Sequence, residues 1–445
     1  MFYSAPLCIA TLSAAALATV SVLAVPADDR PGNQPRLLRS AELADIGLST
    51  FQDLSLPGTI PNDRSIRFGG IGSDIFRARG DSANEFWMVT DRGPNGQPSG
   101  RRTFPVPEFD PTIVHVKVNG DRIELLAAIP IVTPNGSPVT GLPNVATFDE
   151  TPWNYNASVI LPADANGLDT EGLVRTADGD FWAVEEYSPS LLHVDRDGTV
   201  LERIVPIGSP LIGTAYPVVH SLPEILNKRR QNRGFEALAL TPDGSTLFIA
   251  LQSPLEHPTR SIGRASRNTR ILRVDVATAE VTGEFVFRLD EVCAFVGVAP
   301  GCALAPGEMK LSGMTALSNT LLLVDERTDD VAKVVQVDVS KATDIYLSQR
   351  DQVAHSPALE SLADPAAEGI AVLPKQLIVD LSTLPGMPKK IEGVTLVGPD
   401  ILAVANDNDF GLVDETTFDA NGNLSNDTGA RSRILYVKLT RPLVP

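Results

Sequence analysis

Residues 167–187 read GLDTEGLVRTADGDFWAVEEY, and their reading decides the fold. Two apolar runs, 172–175 and 181–184, flank the turn TADGD at 176–180, so the stretch reads as a β-hairpin. Glu171 closes the outer end of the first run, and Glu185 and Glu186 close the outer end of the second. The turn lies at the opposite end, so one antiparallel hairpin places three carboxylates at a single rim.

The same grammar returns along the chain. GFEAL at 234–238 leads through TPDGS at 241–245 to LFIALQ at 247–252. KLSGM at 310–314 leads through SNT to LLLVDER at 321–327, and KIEGV at 390–394 leads through GPD to ILAVANDND at 401–409. A looser copy opens the series, with FGGIGSD at 68–74 before FWMVTDR at 86–92. Further strand-like runs follow the hairpins, among them TIVHVKV at 112–118, LLHVD at 191–195, RILRVD at 270–275 and AKVVQVD at 332–338. Four strands per repeat is the arithmetic of a propeller blade. The expected fold is therefore all-β, a β-propeller of five to seven four-stranded blades. Six is the favoured number, because the 99 residues from Gly72 to Glu171 leave room for a divergent blade. Residues 37–56 are expected to supply one or two strands, the first pairing with RILYVKL at 433–439 to complete the last blade.

Composition bounds the partners. The chain has 445 residues, 43% hydrophobic and 21% charged, enough to bury a large core. A net charge of −18 argues against nucleic acid and anionic membranes, both of which require basic surfaces. Cations, or substrates carried by cations, suit it better. The first 27 residues carry no charged side chain and read as an export signal, residues 28–36 as a polar tether, and 37–445 as one propeller domain. The expected location is secreted or periplasmic, with no membrane contact after signal cleavage and a monomeric state. An uncleaved anchor is the alternative, because the apolar run approaches spanning length. Cys293 and Cys302, nine apart, fit one local disulfide in an oxidising compartment, and two unpaired buried thiols are the alternative.

Aligned, the hairpins give two columns. The first is Gly72, Glu171, Glu236, Ser312 and Glu392. The second runs Thr90-Asp91, Glu185-Glu186, Gln252-Ser253, Asp325-Glu326 and Ala405-Asn406, with Asp407 and Asp409 just beyond. First strands line a propeller axis, so the carboxylates of the first column converge and repel, which raises their pKa values unless a cation neutralises them. Hard oxygen donors in this number favour Ca²⁺ over Mg²⁺. The expected ligands are Glu171, Glu185, Glu186, Glu236, Asp325, Glu326, Glu392, Asp407 and Asp409, with Glu171, Glu236 and Glu392 also catalytic. Arg92 and Arg327, with Gln252, are expected to hold an anionic substrate through paired hydrogen bonds. His257, in a loop leaving the acidic rim, is a candidate general base, whereas His115 and His193 sit inside strands and read as packing residues. The competing structural reading is that strand-end acids tie neighbouring blades together through backbone N–H groups. No G-x-S-x-G elbow, H-E-x-x-H motif or P-loop is present.

Together, DTEGL at 169–173, VEEY at 184–187, FEAL at 235–238, ALQSP at 250–254, VDER at 324–327, IEGV at 391–394 and NDNDF at 406–410 resemble the secreted phytase-like family described as having esterase-like activity. The resemblance runs from about residue 65 to 439 and implies a propeller fold, export, and hydrolysis of phosphate or carboxylic esters. It brings no catalytic residue set, and Gly72 and Ser312 stand where a fully acidic ring would have glutamate. The leading expectation is metal-assisted cleavage of a small anionic phosphate ester such as phytate. A non-enzymatic, calcium-stabilised propeller binding a partner or envelope polymer is the alternative, and a carboxylesterase is a third.

Overall fold

Turn chemistry and alternation build five blades, each around four antiparallel strands, with blades one and five joined into one eight-stranded sheet by parallel pairing of Glu42 and Leu43 with Arg122 and Ile123. The computed structural model describes residues 34–55, 60–295 and 306–444, so the expected signal at 1–27 lies outside the described residues. Blade one comprises Asp74–Phe76, Glu85–Val89, Thr112–Asn119 and Arg122–Pro130. Blade two comprises Thr170–Arg175, Phe181–Glu185, Ser190–Val194 and Val200–Pro206, with Val218–Leu222 added in parallel at its outer edge. Blade three is Phe235–Leu240, Thr246–Leu251, Asn268–Asp275 and Val281–Arg288, and blade four is Lys310–Ala316, Leu321–Arg327, Ala332–Asp338 and Lys375–Asp380. Blade five takes Ile391–Gly398, Ile401–Asn406 and Arg433–Lys438 from the C-terminal part and Arg36–Leu43 from the N-terminal part. The expected closure by the N-terminal strand is thus observed, in antiparallel register from Arg36 against Lys438 to Glu42 against Arg433. The rest of residues 37–56 does not add a second strand: Leu48–Ser55 is a helix.

The hairpins form for a local reason. In blade two Thr176 and Asp180 close the turn and Gly179 adopts φ +103°, while in blade three Thr241 and Thr246 do so with Gly244 at +75°. Only glycine takes such angles without strain, which is why Asp-Gly recurs at these tips.

Ring closure is visible in the packing. Each innermost strand contacts the next, from blade one round to blade five and back to blade one. The inner strands bury both faces, so their residues alternate between two inter-blade cores. Trp182 and Val184 pack with Phe235 and Leu238 of blade three, whereas Phe181 and Ala183 pack with Trp87 and Ile113 of blade one. Phe248 with Met314 joins blades three and four, Leu323 with Val404 joins four and five, and Ala403 with Phe86 joins five and one. A glycine follows the axial residue in three blades because backbones meet there. A Cβ at Gly172 would lie 2.7 Å from Leu238 N, one at Gly313 2.6 Å from Glu392 O, and one at Gly393 2.8 Å from Ile75 N.

The described residues thus hold five blades, the lower end of the expected range and one fewer than the favoured six. The interval from Gly72 to Glu171 holds the rest of blade one and loops, joined by a short parallel pair, Thr103–Phe104 with Trp153–Asn154, and no hidden blade. Cys293 is disulfide-bonded, and Cys302 lies outside the described residues.

Candidate metal and anion site

Strand pairing sets the true columns. Phe76 pairs with Trp87, Val174 with Trp182, Ala239 with Phe248, Thr315 with Leu323 and Thr395 with Ala403. Three residues before the inner member of each pair stand Ser73, Glu171, Glu236, Ser312 and Glu392. The first column therefore begins at Ser73 and not at Gly72. Four residues beyond each outer member stand Asp91, Glu186, Gln252, Arg327 and Asp407. All of these except Ser312 line an axial cavity of about 1520 Å³.

The cavity wall is a belt of alternating charge. Arg92 Nη2 lies 3.0 Å from Glu186 Oε2 and 2.7 Å from Asp169 Oδ2, and its Nη1 lies 2.8 Å from Glu150 Oε1. Gln252 Nε2 donates to Glu186 Oε1 at 3.1 Å and also to Glu236 Oε2. Arg327 donates from Nε to Ser312 Oγ at 2.6 Å, pairs with Glu392, and stands 3.6 Å from Glu236. Lys390 lies 3.9 Å from Glu392 and 2.7 Å from Asp407, and also pairs with Asp409. Arg92 and Arg327, expected as substrate clamps, are therefore already engaged by carboxylates from several blades. Gln252 is a bridge between two glutamates.

Glu171 differs from all of these. It is 7% exposed, lines the cavity, and has no hydrogen bond or ion pair among the described residues. Carboxylate oxygens of Asp169, Glu171 and Glu186 all lie within 4.8 Å of one another, close enough to share one cation. Burial first, then Glu236, Asp169 and Glu186, push the Glu171 carboxyl well above its usual range. Burial also raises Asp169, with Arg92 opposing it. Glu236 is pushed up to about 8 by burial and by Glu186 and Glu392. An all-oxygen donor set whose central member has no counter-ion fits a hard divalent cation.

Of the expected ligands, Glu236, Glu392, Asp407 and Asp409 line the cavity beside the trio, whereas Glu185, Asp325 and Glu326 face elsewhere. Successive strand residues point to opposite faces, so Glu185 and Glu326, next to the axial Glu186 and Arg327, leave the cavity. Glu185 is fully buried, pairs with Arg203 at 2.7 Å, and accepts from the N–H groups of Asp169, Tyr187 and Ser188. Glu326 accepts from Lys375 at 2.9 Å and from Asp290 N. Asp325 is fully buried with neither oxygen hydrogen-bonded among the described residues, and burial drives its carboxyl well above the ordinary range. His257 is buried outside the cavity wall, with Glu360, Arg270 and Lys228 as its charged neighbours, and burial lowers its pKa. Among the described residues no histidine lines the cavity.

Asp169 was not singled out from the sequence, although it opens the DTEGL motif. Arg230, Arg233 and Lys310, which also line the cavity, were missed as well. The run KRRQNRG at 228–234 was their visible signal.

A protein of Arthroderma benhamiae described as "Uncharacterized secreted protein" is 26% identical over 295 residues, which is 55% of this chain and 57% of that relative. Among solved structures, the Pseudomonas aeruginosa periplasmic gluconolactonase is 10% identical, with 86% of this chain and 92% of that one covered and a TM-score of 0.32. The PQQ-bound aldose sugar dehydrogenase of Streptomyces coelicolor is 12% identical, with 91% and 98% covered and a TM-score of 0.31. These two likenesses carry no argument about chemistry. No helix among the described residues is long and apolar enough to cross a membrane. Residues 66–410 match the family described as "Phytase-like: Esterase-like activity of phytase". The chain belongs to that family.

Proposed function

We propose that the axial cavity hydrolyses phosphate esters with a divalent cation, Ca²⁺ in the first instance, held by Asp169, Glu171 and Glu186. The observation carrying this reading is Glu171, a buried axial carboxylate without a counter-ion beside two other carboxylates. When bound, such an ion polarises an ester oxygen and lowers the pKa of a coordinated water. Arg92 holds Asp169 and Glu186 in place, and Gln252 fixes Glu186 relative to Glu236. Glu236, whose carboxyl burial and the acids Glu186 and Glu392 push up to about 8, is placed to give a proton to a leaving oxygen. The secreted relative supports an exported enzyme.

The test is metal analysis of the purified chain, coupled to a screen of phosphate and carboxylic esters with and without chelator. Phosphomonoester turnover that needs calcium and vanishes in Glu171→Gln is expected. Full calcium-dependent turnover in Glu171→Gln would reject the assignment. A second reading is a non-enzymatic propeller rigidified by calcium, and it draws on the belt in which Arg92 and Arg327 are used internally. That reading predicts a chelator-sensitive melting temperature with no turnover on any ester.

A further inference from the structure

The turn at 230–233 brings two arginines side by side. Arg233 N donates to Arg230 O at 3.1 Å, and Asn232 takes the left-handed angle of φ +56° that asparagine tolerates. Both guanidinium groups then donate to the same acceptor. Arg230 Nη1 lies 2.9 Å and Arg233 Nη1 3.0 Å from Gly307 O, and Arg233 Nη1 also reaches Ser253 Oγ at 2.9 Å. Among the described residues neither arginine has a carboxylate within 4.0 Å. Arg233 is only 9% exposed, and both line the axial cavity.

Two like charges sharing one neutral carbonyl, one of them buried, make an uncompensated positive centre. Buried charges are ordinarily paired. Their charged surroundings are mixed: Arg327 and Lys310 stand near Arg233 together with Glu186 and Glu236, and Arg264 and Arg260 near Arg230 together with Glu308 and Glu256, none of these acids within ion-pair distance. Those neighbours have partners of their own: Lys310 with Asp329 at 2.6 Å, and Arg264 with Glu256 at 2.6 Å. Among the described residues Arg230 and Arg233 keep Nε and Nη2 without a protein partner, and a planar fork of this kind matches the oxygens of a phosphoryl group.

The geometry points to an anion-binding site at Arg230 and Arg233 that takes a phosphoryl group of the substrate between two guanidinium forks. It names the substrate class of the proposed hydrolase and rests on that reading only for which cavity receives substrate. The same turn is linked to the carboxylate trio through Arg92: Asn232 Oδ1 accepts from Arg92, which holds Asp169 and Glu186. The two centres are adjacent but distinct.

Isothermal titration of inorganic phosphate into the full chain tests this, at fixed ionic strength, with chelator and with calcium. Wild-type protein binds phosphate in both conditions. Arg233→Gln and Arg230→Gln each weaken binding about tenfold, the scale of one lost hydrogen bond to a charged group. Arg196→Gln, on the outer turn of blade two, removes the same charge and leaves affinity within about twofold. Should Arg233→Gln fail to fold, the half-buried Arg230→Gln decides. Unchanged affinity in the Gln variants overturns the site, as does phosphate binding that requires calcium and is lost in Glu171→Gln. No binding by the wild type also overturns it. Phosphate binding that depends on Arg230 but is accompanied by no ester turnover leaves the anion site standing and removes the hydrolase.

Discussion

Glu236→Gln should make the calcium-free protein more stable at neutral pH and less active. Burial and the acids Glu186 and Glu392 push the folded carboxyl up to about 8, while the unfolded chain titrates near the ordinary value of ~4.3. Between those values the folded state holds a proton that the unfolded state releases. The unfolded form therefore gains relative stability as pH rises, by ~1.36 kcal/mol per unit. Any stability the group contributes is fully present below the unfolded pKa and is lost as pH climbs towards the folded one. By pH 7 the penalty is about 3 kcal/mol, and glutamine, with nothing to ionise, avoids it. The substitution is sterically mild, since the amide oxygen still accepts from Gln252 and its NH₂ faces Ser312 Oγ. Unfolding entropy of ~2.1 cal/mol/K per residue over a unit of some 400 residues converts that to a melting temperature about 3–4 °C higher at pH 7. Near pH 4.5 the two proteins should melt together. Thermal unfolding followed by circular dichroism from pH 4.5 to 8 in chelator measures both. A variant that tracks the wild type in parallel across that range, or melts below it at pH 8, refutes the assignment of a proton to Glu236.

Arg203→Met strands Glu185 in a fully buried site with its backbone donors but no counter-charge, so it should cost about 3–5 kcal/mol in chemical denaturation. A loss below ~1 kcal/mol would mean that Glu185 is not held by this pair. Gly313→Ala places a Cβ 2.6 Å from Glu392 O and 2.8 Å from Val394 N, where blades four and five meet at the axis. It should destabilise by at least ~1–3 kcal/mol, and wild-type melting in that variant would contradict the contact.

The parts of this fold legible in the sequence are those fixed locally. Thr176–Asp180 and Thr241–Ser245 announce their hairpins through turn chemistry, and the N-terminal strand follows as the mate of residues 433–439 from the need to close a ring of blades. Blade number was not legible, because loop length carries no signature separating an excursion from a blade. The first column was placed one residue early in blade one because that strand has Asp74 where blades two, four and five have glycine; only its pairing with Val89 fixes the register. The partners of the acids were hidden for another reason. Glu150, Asp169 and Glu186 reach Arg92 from segments 58, 77 and 94 residues away, and no local pattern reports such meetings. Alternation did contain one unused signal, since Glu185 and Glu186 must face opposite ways and only one of them can reach the axis.

The pairing pattern also explains why one cavity keeps an unpaired centre of each sign. Among the described residues Glu171 has no cation partner and Arg230 and Arg233 have no carboxylate partner, although all three line the same space. Flexible side chains on a common wall would quench each other in a direct ion pair. Here both arginines are tied to Gly307 O, and the turn that carries them is tied through Asn232 to Arg92. Glu171 is held on the innermost strand by a ring whose glycines leave no slack between blades. The scaffold thus holds opposite charges apart, while burial first and then the neighbouring acids raise the Glu171 carboxyl. A ligand that brings both signs together, a divalent cation with a phosphate ester, neutralises both centres at once, whereas a ligand of one sign leaves the other uncompensated.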